Sequence, residues 1–121
     1  MWSYRDLRVR RIGMDLVETV YDLTRGFPPD ERYGLVGQMR RAAVSIPSNI
    51  AEGHARRYRK EYRQHLSVAL ASLAELETQV EIALRLQYIA NEENSVYREQ
   101  LDSFGKQLRS LIAALSRDPN P

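Results

Sequence analysis

Between residues 62 and 83 the apolar positions Tyr62, Leu66, Ala69, Leu73, Leu76, Val80 and Ala83 follow one another at steps of four and three without a miss. That period fits one face of an α-helix and not a strand, whose faces repeat every second residue. Leu70, Ala74 and Leu84 add a second apolar edge, so this helix expects neighbours on two sides. The same steps recur in Tyr97, Leu101, Phe104, Leu108, Leu111 and Leu115. They recur again in Val9, Gly13, Leu16, Val20, Leu23 and Phe27, where Ile12 and Val17 widen the face. With a fourth apolar stripe between residues 35 and 50 and no strand-like alternation, the chain reads as all-α. The expected architecture is an antiparallel up-down-up-down four-helix bundle with shallow crossings of about 20°.

The punctuation sets the boundaries. Helix 1 is expected over residues 4–25 and ends at Arg25-Gly26-Phe27-Pro28-Pro29, where Gly permits a left-handed stop and Pro cannot continue a helix. Helix 2 is expected over 29–53, with Asp30 and Glu31 at the positive end of its dipole. Helix 3 is placed at 59–87. Helix 4 runs over 92–116, with Asn91 as N-cap and Glu92 and Glu93 in its first turn, and Asp118-Pro-Asn-Pro121 frays away. At 121 residues, one domain spanning 1–121 is the natural expectation.

Helix 2 is the unusual element. Leu35, Met39, Ala42, Ala43, Ile46 and Ile50 form its buried stripe, and Gly37, Ser45, Ser48 and Ala51 admit close neighbours. Pro47 lacks an N–H, so it is expected to bend the helix and to free the carbonyl of Ala43. Arg41, Ser45, Asn49 and Glu52 line up beside the apolar stripe, and helix 3 answers with Ser72 and Glu75. This polar seam reads either as an interhelical hydrogen-bond network that fixes register or as a ligand or partner site. Buried polar groups are commonly paired, which favours the network.

The segment Gln38-Met-Arg-Arg-Ala-Ala-Val-Ser-Ile-Pro-Ser-Asn-Ile-Ala-Glu-Gly53 resembles the signature of the 23S rRNA intervening-sequence family, also called the S23 family. Phe27-Pro28, Glu31-Arg-Tyr-Gly-Leu35 and Ser72-Leu-Ala-Glu-Leu-Glu-Thr78 extend the likeness over nearly the whole chain. The resemblance implies a four-helix bundle and a homo-oligomer, with similar members described as rings of five bundles. Leu70, Ala74 and Leu84 on helix 3, together with Trp2 and Tyr4, which the core leaves unused, are compatible with such assembly. The family is also similar in fold and assembly to accessory proteins of diversity-generating retroelements, which associate with a reverse transcriptase and nucleic acid; for this chain that is analogy alone. Relatives tend to carry a small hydroxyl residue where this chain has Tyr58, so a capping box toward Glu61 is lost.

Composition narrows the function classes. There is no cysteine, which removes disulfides, thiolate nucleophiles and Cys-based metal sites. No apolar run approaches the ~20 residues of a membrane span, and Met-Trp-Ser-Tyr-Arg-Asp does not resemble a signal peptide, so a cytoplasmic protein is expected. His54 and His65 both lack a Glu three residues before them, as a di-metal carboxylate bundle would require. No serine has a His on a neighbouring turn, and no glycine-rich phosphate loop follows a strand. The expectation is a non-enzyme with no cofactor and no metal.

Charge points elsewhere. Residues 1–65 carry +5 and residues 66–121 carry −3. Arg56, Arg57, Arg59, Lys60 and Arg63, interleaved with Tyr58 and Tyr62, occupy the helix 2–helix 3 corner. Arg5, Arg8, Arg10 and Arg11 open helix 1, whose start lies at the same end of an antiparallel bundle. Cations neutralise phosphates and an exposed Tyr stacks on an unpaired base, so the leading expectation is an accessory protein for structured RNA, or DNA. The plainer reading is a solvated basic face, which leaves a protein-interaction scaffold as the alternative.

Overall fold

In the computed structural model, which describes residues 1–117, the four apolar repeats are four helices: α1 Tyr4–Arg25, α2 Leu35–His54, α3 Arg59–Arg85 and α4 Asn91–Arg117. The Asp118–Pro121 segment, expected to fray, lies outside the described residues. Met39, Ile46, Ile50, Leu66, Leu73, Leu76, Phe104 and Leu108 are fully buried, and each belongs to a stripe legible in the sequence.

Contacts climb one helix as they descend the next. Asp6 meets His54, Gly13 meets Ile46 and Pro47, and Thr24 meets Arg40. Ser45 meets Ser72 and Asn49 meets His65; Leu73 lies against Gly105 and Glu81 pairs with Arg98. Neighbouring helices therefore run antiparallel. α1 and α4 touch far less than the other neighbouring pairs, which leaves a groove of about 480 Å³ between them.

The helix ends depart from expectation in instructive ways. α1 starts with a capping box: the Asp6 N–H donates to Ser3 Oγ (3.1 Å) and the Ser3 N–H donates to Asp6 Oδ2 (2.8 Å). It ends without a left-handed residue, since Gly26 sits at φ −85°; Pro28 and Pro29 make the stop by forcing the chain out of the helical ladder.

Helix 2 does not begin at Pro29. Pro29–Glu31 is one 3₁₀ turn, and α2 starts only at Leu35, after Gly34 at φ −105° and ψ −113°. Glu31 serves the dipole from outside the helix, its Oε1 accepting the Leu35 N–H at 3.2 Å. α2 then continues through Pro47, which is buried, to His54.

α3 closes two residues earlier than its apolar pattern suggests. Gln87 adopts φ 65°, the Tyr88 N–H donates to the Ala83 carbonyl and the Gln87 N–H to that of Leu84, both at 2.9 Å. Those paired bonds are a Schellman stop built on a residue other than glycine. Tyr88 then packs on Phe27, ring centroids 5.2 Å apart, and donates its hydroxyl to Glu31 Oε2 at 2.8 Å. Asn91 is not the N-cap of α4. The first helical bond runs from the Asn94 N–H to the Ala90 carbonyl, and the Glu93 carboxylate accepts the Ala90 N–H.

Candidate functional site

The start of α1, the α2–α3 corner and the last turns of α4 meet at one end of the bundle. Asp6, one turn into α1, is 7% exposed and well supplied with hydrogen bonds. Besides the Ser3 N–H it accepts the Tyr62 hydroxyl at 2.8 Å on Oδ1, and His54 Nε2 stands 3.5 Å from Oδ2. His54 Nε2 also lies 3.1 Å from the Met1 carbonyl. With an acceptor on both sides, that nitrogen carries the proton. Burial, followed by the hydrogen bond and charge of Asp6, pushes the Tyr62 hydroxyl well above its ordinary range.

Trp2 stacks on the His54 ring at 3.7 Å with planes 10° apart, and the Tyr62 ring meets His54 edge-on at 5.4 Å. Trp2 is thus engaged rather than idle, while Tyr4 stays 80% exposed. Arg10 lies 5.7 Å over the Trp2 ring.

Beside this cluster is a depression of about 400 Å³. Arg5, Arg56, Arg57 and Arg59 line it together with Tyr58 and Tyr62, and Leu111, Ala114 and Leu115 of α4 contribute apolar surface. Arg57 sits 5.3 Å over the Tyr58 ring, and Arg56 makes an exposed pair with Glu52 at 3.4 Å. Tyr58 occupies the N-cap of α3 without a side-chain hydrogen bond to its first turn. Of the other cations expected here, Lys60, Arg8 and Arg11 are exposed and Arg63 is half-buried, and none lines the depression.

The seam resolves into a smaller set. Ser45 Oγ and Ser72 Oγ are 2.9 Å apart, and Asn49 Nδ2 donates to the Ser45 carbonyl at 2.9 Å and to Ser45 Oγ at 3.1 Å. Asn49 Oδ1 accepts from His65 Nδ1 at 3.0 Å. Arg41, Glu52 and Glu75 are exposed and stand outside this network. α2 and α3 come very close beside it: a Cβ built on Gly53 would lie 2.4 Å from His65 Cβ.

Sequence reasoning missed Asp6, His54 and Trp2 at the corner and His65 in the seam. Two signals were present. Ser3-x-x-Asp6 is a capping-box pattern, and His65 precedes Ser72 by seven residues, which places both on one face of α3. Nothing local ties residue 6 to residues 54 and 62.

Among the described residues, no group of three or more His, Asp or Glu side chains gathers as a metal site would require, and no helix is long and apolar enough to cross a membrane.

No curated protein matches the sequence significantly. Among solved structures, the chain is similar to a protein of unknown function from the S23 ribosomal protein family of Bacteroides thetaiotaomicron VPI-5482. The TM-score is 0.83 at 23% identity, over 90% of this chain and 98% of the other, a likeness of fold. The model of the family described as 23S rRNA-intervening sequence protein matches residues 5–110, nearly the whole of the described bundle. The chain belongs to that family.

Proposed function

We propose that this protein is a non-enzymatic, oligomeric accessory protein of the cytoplasm that binds nucleic acid, structured RNA in the first place, through the basic corner. One observation carries the reading: Arg5 from α1 and Arg56, Arg57 and Arg59 from the α2–α3 corner line one depression that Tyr58 and Tyr62 also line. Guanidinium groups match phosphate oxygens as forks, and an exposed ring such as that of Tyr58 holds an unpaired base, while Tyr62 is buried. The family's name, which ties its members to an intervening sequence of 23S rRNA, agrees with an RNA ligand. Self-association would place one such corner on every subunit and multiply weak phosphate contacts.

The test is a salt titration of binding to a labelled structured RNA. Arg56, Arg57 and Lys60 are exposed, so changing all three to Gln leaves the core intact. Each lost phosphate contact lowers the salt slope by about 0.7–0.9, so the triple variant is expected to lose roughly 2–3 units of slope. An unchanged affinity and slope in a folded triple variant would reduce the corner to a solvated face.

A second reading has its own observation. The groove between α1 and α4 is lined by Ile12, Leu16, Val96 and Phe104 and rimmed by Asp15 and Glu99, which suits a protein partner. Absence of RNA binding even at low salt would favour this scaffold role.

A further inference from the structure

The corner depression is lined by two chemically different sets of side chains, and a phosphodiester backbone crossing the surface needs only one of them. The arginines, Arg5, Arg56 and Arg57 among them, answer a phosphate. Leu111, Ala114 and Leu115 answer nothing in a phosphate and suit the face of a planar base. Arg57 already lies over the Tyr58 ring, so a cation and an aromatic face are presented together at the rim.

The volume, about 400 Å³, is of the size that takes a small molecule. Among the described residues, Asp6 is the one acid in the lining, and its oxygens already accept from Tyr62 and Ser3, so it is engaged inward. The groove between α1 and α4 has the opposite character, with Asp15 and Glu99 and, among the described residues, no cation in its lining.

A terminal phosphate monoester carries about 1.5–2 negative charges at neutral pH, against one for an internal phosphodiester. The arginines of the lining favour the more highly charged terminal group. We propose that this depression binds a nucleoside 5′-phosphate, presented either as a free mononucleotide or as the 5′ end of an RNA strand. Only the RNA-end form rests on the RNA reading above. The base would lie against Tyr58 and the α4 residues, with its phosphate between Arg5 and the corner arginines.

Trp2 is the chain's one tryptophan and stacks on His54, which lines the depression, so its fluorescence reports occupancy. Three probes are titrated separately: adenosine 5′-monophosphate, adenosine and inorganic phosphate. The monophosphate is expected to bind at least about tenfold more tightly than either of the others, because only it uses both sets of side chains. Arg5→Gln should weaken the monophosphate severalfold, and Tyr58→Ala should weaken it while leaving inorganic phosphate unaffected. Equal binding of monophosphate and inorganic phosphate, or no binding of the monophosphate, overturns the site.

Two RNA strands of one sequence, with a 5′-phosphate or a 5′-hydroxyl, then separate the sources. Preference for the 5′-phosphate, lost in Arg5→Gln, assigns the site to RNA ends. Mononucleotide binding with no end preference assigns it to the free nucleotide. Mononucleotide binding without any RNA binding keeps the site and overturns the RNA reading. RNA binding that ignores the end, with no mononucleotide binding, does the reverse.

Discussion

The Tyr62 hydroxyl crosses fifty-six residues of sequence to reach Asp6, and both groups are buried. Tyr62→Phe keeps the ring and removes the donor, leaving Asp6 Oδ1 short of a partner inside the fold. The expected cost is about 1–3 kcal/mol of stability, read from urea unfolding near neutral pH. The pH dependence has a definite sign. Folding raises the Tyr62 pKa, so the folded state holds this proton more tightly than the unfolded chain. The stabilisation is complete below the ordinary tyrosine value of about 10 and is lost as pH rises above it. The gap between wild type and Tyr62→Phe should therefore narrow in alkaline solution. An equal gap at neutral and alkaline pH would mean that the hydroxyl does not titrate in the way its surroundings dictate.

Two elements owe their geometry to something other than their apolar stripe. α3 ends because Gln87 takes a left-handed conformation that costs a residue with a Cβ about 1–2 kcal/mol. Gln87→Gly removes that strain at the cost of some chain entropy, so a net gain of about 0.5–1 kcal/mol is expected, seen as a raised thermal midpoint. A loss of stability would show that the Gln87 side chain makes a contribution its backbone conceals.

The α2–α3 contact depends on the Ser45–Asn49–Ser72–His65 network. Asn49→Leu deprives Ser45 and His65 of their partner and is expected to cost about 1–3 kcal/mol. Glu75→Leu, on the exposed side of α3, should change stability by no more than about 0.5 kcal/mol. If the two variants behave alike in chemical denaturation, the network does not hold the two helices in register.

At the scale of the whole molecule, apolar surface remains uncovered on a lone bundle. Val68, Ile82 and Leu86 are exposed along or just beyond α3, and the groove between α1 and α4 shows Ile12, Leu16 and Val96 at its lining. Surfaces of this kind are commonly buried by association. Light scattering is expected to give a mass several times 14.0 kDa. A single-chain mass at micromolar concentration would end the oligomeric reading, and with it the multiplied phosphate contacts.

The sequence by itself determined the helices, because a period of three and four survives in the order of residues whatever the neighbours are. It showed that Tyr62 lies on an inward stripe, that Pro28 and Pro29 end α1, and that the positive charge gathers near Tyr58. Even the capping box at Ser3 and Asp6 was written there. What it withheld were the pairings. Helical phase tells which face a side chain occupies but not how far along the axis its partner stands. That offset is set by the 3₁₀ turn after Pro28, the left-handed Gln87 and the closeness that Gly53 allows against His65. Only once the helices are docked at those offsets do Asp6, His54 and Tyr62 meet, and Arg5 join the arginines of the α2–α3 corner in one depression.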